Sequence, residues 1–589
     1  MLELPDYDGL VAVDTETTGL HPDPPEWGRV NVVSLAWRPG TDAQIQWRAL
    51  PFAFGERGAQ MRLDLDESPN LSEEDWHFLL EWLAGRRLVL HGSKFDLTMF
   101  AVGTPAWPGR NLAEHLAWDT MLASRILDPT VSAELDDVER RLGFLDTATR
   151  AEWNKSKSLR GKVNSMAWSR AEQYAGIDAV VTLVAAEQQM IRFEQGEGDR
   201  RAFYNDMALS NTLLAIEGRG IGYNYTRSAE IAKEVKHEEA KVAVTLPFRA
   251  TGPGAKKYFY GTLGLTPSSQ TDGGQPRLDD QEITKLVSEG VPNAEAYQRL
   301  QKLKTARTKW FESYAEHTGL DGRLRTVFSL SQVATGRLSS TRVNLQALPH
   351  DYQLPEVAER WGGPRSLFHP RKGAKLWELD ASQAELRVAA KEADCKPMLD
   401  LIAEDADIHG NVTEQLFNDH PGTATWFEHR QIGKRADFSL IFGVGPETFQ
   451  ATLAKYTGIW LPLDECSRIV HRWRRLYPEY GRAIMRYQES ANHWMYVRLA
   501  NGRISRMRSF DDFHKSFNRY VQGSLAEWMK AWLVEAEKRW PGVVVLTIHD
   551  SLVLETSKRT VVQAIADLGK QLAEDLFHVP WAIDWKEWH

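Results

Sequence analysis

The chain has 589 residues, too many for one hydrophobic core, so two to four domains are expected. Its 42% hydrophobic and 26% charged residues are ordinary for a globular protein, no apolar run approaches membrane-spanning length, and Met1–Asp6 carries no leader pattern; these exclude a membrane protein and predict a cytosolic one. The net charge of −9 excludes no polyanionic partner, because it is unevenly spread: Lys302, Lys304, Arg307, Lys309, Arg323 and Arg325 cluster, while acids crowd Asp64 to Glu74.

Residues 1 to about 195 alternate strand-like and helix-like stretches, the pattern of an α/β domain. The first strand, Val11-Ala12-Val13-Asp14-Thr15-Glu16-Thr17, carries acids at alternate positions, and a period of two puts Asp14 and Glu16 on one face. Adjacent like charges are tolerated best with a cation between them. Asp96 follows in the segment from Leu90, and Tyr174 and Asp178, four residues apart, stack on one face of a helix predicted over 168–193. Four acids able to converge with a tyrosine suit two divalent cations about 3.5–4 Å apart, one preparing an attacking water and both stabilising a phosphate in transit.

From about 200 to 320 the sequence is mainly helical, with charged stretches over 229–244 and 296–316 and a Gly/Pro/Ser-rich loop over 266–274. Strand and helix then alternate again. Leu376–Asp380 reads as a strand ending in an acid, followed by a helix-like run from Ser382. Arg430, Lys434 and Phe438 recur every four residues; each step drifts by about 40°, so they keep to one stripe, with Phe442 further round. Two cations followed by an aromatic can hold phosphates at one end and stack on a base or sugar at the other. Cys395 and Cys466 are far apart in sequence, which gives no disulfide framework and no zinc spacing and fits a reducing compartment.

Near the C-terminus two apolar, β-branched runs, Val543–Ile548 and Ser551–Glu555, place Asp550 at the tip of a hairpin. A carboxylate on rigid sheet is a candidate metal ligand. With Asp380 it would make a second two-cation site, able to activate a 3′-hydroxyl against a triphosphate.

The segments around Asp14–Glu16, Asp96 and Tyr174–Asp178 resemble, in order, the three motifs of the DnaQ-like 3′–5′ exonucleases, with Asp119 as a support element rather than a ligand. Asp380–Arg387, the Arg430–Gly443 helix and His549-Asp550-Ser551 resemble motifs A, B and C of family A DNA polymerases, the relatives of bacterial DNA polymerase I. Further matches are Ala334–Ser340 with Asn344-Leu345-Gln346, Asp407-Ile408-His409, and Asn518 with Gln522-Gly523. Lys302–Thr305 and Thr271–Gly274 resemble thumb landmarks of that family.

The resemblance implies an α/β multidomain fold. An RNase H-like 3′–5′ exonuclease domain over 1–195 would be followed by a right-hand polymerase with a mainly helical thumb over 196–325, a palm over 326–392 and 530–589, and fingers with connecting segments over 393–529. Asp380 and Asp550 would hold two magnesium ions, with manganese as a substitute, and Asp14, Glu16, Asp96 and Asp178 would do so in the exonuclease site beside Tyr174. Arg430, Lys434 and His409 would contact the incoming triphosphate, Phe438, Phe442 and Gln383 would complete the nucleotide site, and Glu385 would exclude a 2′-hydroxyl. Arg337, Asn344, Gln346, Asn518, Gln522 and His549 would lie along primer–template DNA, where the minor groove presents nearly the same acceptors for every base pair. Lys302, Lys304 and Arg307 would grip backbone phosphates, so affinity should fall steeply with salt.

The implied activity is template-directed DNA synthesis from dNTPs with 3′–5′ proofreading, by a monomer resembling the compact polymerases of bacteriophages, with no 5′-nuclease domain ahead of Asp14 and no recognisable processivity partner. Five residues depart from the family pattern: Gly92 for Asn, Ala381 for Tyr, Ser551 for Glu, Phe442 for Tyr and His514 for Arg. Ser551, Ala381 and Phe442 motivate an alternative, a 3′–5′ exonuclease whose polymerase half is a non-catalytic DNA clamp. Glu385 and the exonuclease segment disfavour a single-subunit RNA polymerase.

Overall fold

The computed structural model describes residues 2–21, 28–52, 70–102, 111–157, 163, 167–271, 273–330, 333–507 and 509–588. Asp64, Asp66 and Glu67 of the acidic run, and Asp272 of the loop landmark, lie outside these residues. The fold is mixed α/β, and the chain divides into two compact units. The first comprises Met1–Gly220, His317–Leu330 and Leu533–Lys538; the second comprises Ile221–Glu316, Ser331–Trp532 and Arg539–His589. Among the described residues no helix is long and apolar enough to cross a membrane.

The first unit is built on a five-stranded sheet of β1 (Leu10–Thr17), β2 (Val30–Trp37), β3 (Gln46–Pro51), β4 (Arg87–Leu90) and β5 (Leu116–Asp119), in the order β3-β2-β1-β4-β5. β1 runs antiparallel to β2 and parallel to β4. Every residue of β2 is buried, which is why Val-Asn-Val-Val-Ser-Leu-Ala-Trp shows no polar alternation: both faces of the sheet are covered. The two faces carry different side chains. Val11, Val13, Val33 and Leu35 pack with Leu79, Leu83 and Leu97, whereas Ala12 and Ala36 pack with Ala179, Leu183 and Ala186 of the helix Trp168–Glu194. Small residues let that helix lie close to the sheet. At Gly176 a Cβ would stand 2.3 Å from the Trp47 ring. Since Asp14 and Glu16 share the parity of Ala12, they face this same helix.

The second unit contains a four-stranded antiparallel sheet in the order Val544–Ile548, Ser551–Thr556, Lys375–Ala381, Ile583–Glu587. Helices Ser516–Arg539 and Arg559–Phe577 meet through stacked Trp528 and Trp532, whose indoles donate to the Gly569 and Ile565 carbonyls. Gly569 makes room for this, because a Cβ there would lie 2.4 Å from the Trp532 ring. The long run expected over 296–316 is helical throughout as Ala294–Thr305, a wider π-helical stretch Ala306–Glu312, and Ser313–Glu316. The helix expected over Arg430–Gly443 is observed as Trp426–Leu440. It ends because Gly443, at φ 77°, turns the chain and donates its N–H to the Leu440 carbonyl; Phe442 therefore lies in the turn after the helix.

Glu527 links Ser516–Arg539 to the Tyr496–Arg506 hairpin. It is buried and accepts from Lys530 Nζ at 2.7 Å, Asn501 Nδ2 at 3.1 Å and Arg503 Nη1 at 3.3 Å. Burial alone would raise its pKa, but Lys530 and Arg503 outweigh that and hold it at about 2, against an ordinary 4.5. A depressed carboxylate stabilises the fold above the unfolded value and loses that stabilisation as pH falls toward the folded one. Glu527→Gln is therefore expected to cost about 3 kcal/mol at neutral pH. The deficit relative to wild type should shrink between pH 4.5 and pH 2. Denaturant titrations at the two ends of that window check it, and a deficit independent of pH would refute it.

Candidate active sites

In the first unit, carboxylate oxygens of Asp14, Glu16 and Asp178 all lie within 4.8 Å of one another. Asp14 and Glu16 are half-buried and Asp178 is buried. Three clustered carboxylates with hard oxygen donors fit a divalent cation such as magnesium, and like charges held this close are stabilised by one. Trp153, on the helix Thr147–Lys157, donates its indole N–H to Asp178 Oδ1 at 2.6 Å, an orienting contact not foreseen from sequence. Tyr174 is buried one turn before Asp178, packed with Val32, Ala49 and Trp153.

Asp96 does not join this cluster. Its Oδ1 accepts from Thr15 N at 3.1 Å and Thr15 Oγ1 at 2.6 Å, the residue between the two β1 acids. Burial pushes its pKa up to about 7, against the pull of those hydrogen bonds. Four acids were expected to converge; three are brought together and the fourth is tethered to their strand.

Asp119 is the support element foreseen. It caps the helix Thr120–Leu127 through Met121 N and Leu122 N, at 2.9 and 3.0 Å, and also accepts from Gly92 N and Ser93 N at 3.2 and 2.8 Å. Gly92 stands at φ 74°, a conformation glycine adopts without cost, and a Cβ there would meet the Met121 methyl at 3.0 Å. The departure at position 92 thus has a local backbone reason.

In the second unit, Asp380 and Asp550 occupy neighbouring strand ends. Asp380 pairs with Ser551, and His549-Asp550 forms the two-residue connection of the hairpin. The tip is held from below by Gln346, whose Nε2 donates to the Thr547 carbonyl at 2.8 Å and whose Oε1 accepts from His549 N at 2.7 Å. Gln346 was expected on DNA; it is buried, with both amide ends engaged by the hairpin backbone. Asn344 lies beside it and accepts from Ser340 Oγ at 3.0 Å.

Ser551 donates its hydroxyl to Asp380 Oδ1 at 3.0 Å. Where the family pattern has an acid, this chain thus supplies a hydrogen-bond donor. The Asp380 carboxylate opens to solvent on one side, but surrounding protein and then the charges of Asp550, Glu378 and Asp584 raise its pKa against that hydroxyl. Arg337 Nη2 bridges Glu385 Oε1 at 2.7 Å and Asp550 Oδ2 at 3.4 Å, and Gln522 Nε2 reaches the same Glu385 oxygen at 3.3 Å. Glu385 is largely buried, and burial raises its pKa while Arg337 opposes the rise. Gln383 begins the helix Ala384–Ala393 at φ 53°. Asn518 and Gln522 are one turn apart on Ser516–Arg539.

The helix Trp426–Leu440 carries Arg430, Lys434 and Phe438. Protein around the Lys434 ammonium, with Arg430 and Arg435, draws its pKa down, and Asp380 is near enough to draw it back up. Arg430 forms a forked pair with Asp407, Nη2 to Oδ1 at 2.9 Å and Nε to Oδ2 at 3.3 Å. His409 is buried, 5.3 Å from the Phe438 ring, and its Nδ1 lies 2.8 Å from Asp437 Oδ2. Sequence reasoning missed the pairing roles of Asp407 and Asp437; for Asp437, an acid on the buried side of the cationic helix was the available signal. Of the basic residues expected on phosphates, Lys302 and Lys304 are exposed, but Arg307 is tied to Glu239 at 2.7 Å and Glu312 at 2.6 Å.

A family model described as DNA polymerase family A matches residues 225–587. The chain is 26% identical over 582 residues to DNA polymerase I of Pseudomonas aeruginosa, covering 94% of this chain and 60% of that protein. It is 25% identical over 480 residues to the thermostable DNA polymerase I of Thermus aquaticus, covering 78% and 53% respectively. The chain therefore spans between half and two thirds of the length of these relatives. A solved structure, the POL domain of Pol1 from M. smegmatis in complex with DNA primer-template and dNTP, shares the fold with a TM-score of 0.74 at 19% identity, covering 98% of this chain and 94% of that one. The matched region carries Asp380, the helix Trp426–Leu440 and the Asp550 hairpin, and the chain belongs to DNA polymerase family A.

Proposed function

We propose that the chain is a template-directed DNA polymerase of DNA replication, extending a primer 3′-hydroxyl with dNTPs, and that its first unit is a 3′–5′ proofreading exonuclease. The observation that carries the polymerase reading is the meeting of Asp380 and Asp550 at adjacent strand ends with Lys434 within electrostatic reach. Support for the second activity is the Asp14–Glu16–Asp178 cluster. Asp380 and Asp550, and separately Asp14, Glu16 and Asp178, would hold divalent cations, magnesium in the first instance, which when bound lower the pKa of a hydroxyl or water and neutralise phosphate charge.

The chain's own residues supply the rest. Arg430 and Lys434 hold the triphosphate at one end of their helix, and Phe438 packs on the base and sugar at the other. Glu385, fixed by Arg337 and Gln522, presents a buried side chain against a 2′-hydroxyl. Arg337, which reaches Asp550 Oδ2 at 3.4 Å, would turn to the minor groove on primer–template, and Asp550 would then be free to hold a cation. Lys302 and Lys304 grip the duplex backbone from a helical thumb, while Arg307 shapes that element through its two glutamates. Palm, fingers and thumb follow from these roles.

One assay tests both activities: primer–template and magnesium, with and without dNTPs. Extension with dNTPs and shortening without them are expected; shortening alone would leave the second unit as a DNA clamp. Ser551 has its own test. Ser551→Ala should lower kcat for insertion about tenfold and raise the magnesium requirement, as loss of a group orienting a metal ligand does. Ser551→Thr, which keeps the hydroxyl, should retain most activity. Equal loss in both variants would mean that packing, not the hydrogen bond to Asp380, matters.

A further inference from the structure

We propose that Asp437 is a positioning residue for nucleotide binding, holding His409 by Nδ1 so that the Nε2 edge of the ring is fixed toward the triphosphate. The proposal rests on reading Trp426–Leu440 as the nucleotide-binding helix. Asp437 has no exposed side-chain surface; its Oδ2 lies 2.8 Å from His409 Nδ1 and its Oδ1 accepts from Trp473 Nε1 at 3.2 Å. Both carboxylate oxygens are thereby aimed, one by a tryptophan that cannot change its donor role.

An ionised carboxylate only accepts hydrogen bonds, so His409 Nδ1 carries the hydrogen. Nε2, on the opposite edge of the ring, is then the nitrogen left to meet a ligand. Asp407, at the start of the His409 helix, is paired with Arg430, and Tyr477 and Tyr480 lie near Asp437 as neutral groups. Burial raises the Asp437 pKa, and His409, then Trp473, oppose the rise. Asp437 thus acts on the nucleotide through His409 and touches no substrate itself.

The test is a double-mutant cycle on the full chain, with single-nucleotide insertion on primer–template giving kcat and KM for the dNTP. Asp437→Asn should raise KM about tenfold with kcat little changed, and should have no further effect in a His409→Ala background, as for residues acting as one unit. Trp473→Phe, which removes the second hydrogen bond to the carboxylate, should raise KM less and also fall silent in that background. It decides the matter should Asp437→Asn fail to fold. Additive effects, or an unchanged KM in both variants, overturn the proposal while leaving the polymerase reading intact. No extension by the wild-type chain overturns both.

Discussion

Replacing Asp380 or Asp550 by alanine is expected to abolish primer extension, by on the order of a thousandfold, while 3′–5′ degradation continues. The magnitude follows from the several kcal/mol of transition-state charge stabilisation that a ligated cation supplies, at about 1.4 kcal/mol per tenfold in rate. The selectivity follows from placement: both acids belong to the sheet of the second unit, and neither is among the three clustered carboxylates of the first. Neither substitution should unfold the chain, because Asp380 reaches solvent and Asp550 sits at a hairpin tip held by Gln346. Gel-resolved extension and degradation assays on one preparation read both outcomes. Persisting extension by Asp380→Ala would sink the assignment of this sheet.

The mirror-image result is expected for Asp14→Ala or Glu16→Ala: degradation of a single-stranded or mispaired 3′ end should fall at least about a hundredfold, and extension should be spared. Removing one carboxylate from the cluster takes away a ligand and leaves Asp178, oriented by Trp153, to hold a cation with one partner. Asp96→Asn should be milder. Asp96 is bound to Thr15 and removed from the three-oxygen cluster, so its loss disturbs the strand that carries the ligands. A loss with Asp96→Asn as complete as with Asp14→Ala would show that Asp96 is itself a ligand in the working enzyme.

Much of both candidate sites was legible in the residue order, and particular elements show why. The shared face of Asp14 and Glu16 depends only on the two-residue period of a strand, and the tip position of Asp550 only on two β-branched runs separated by two residues. The stripe of Arg430, Lys434 and Phe438 depends only on the helical repeat. Its far end was misjudged, because where a helix stops is set by a single left-handed glycine, Gly443, that periodicity does not register.

Other roles were beyond reach. Gln346 and Arg307 both read as DNA contacts, since an amide and a guanidinium beside a polymerase motif suit that use. Their partners come from 201 and 68 residues away, and those partners occupy them. The hydroxyl at 551 reads as a missing acid until strand pairing sets it opposite Asp380, where it becomes a donor.

The carboxylate at the hairpin turn, the alternating acids of β1, the cationic helix and the family resemblance were determined by the sequence itself, through repeats of two and of 3.6 residues that act over a few neighbours. Which acids cluster and which are tethered, what Gln346 and Arg307 hold, and how Asp437 meets His409 were decided only by tertiary structure. A hydrogen bond or ion pair between distant residues exists only once packing has closed the chain between them, and no local repeat encodes that closure.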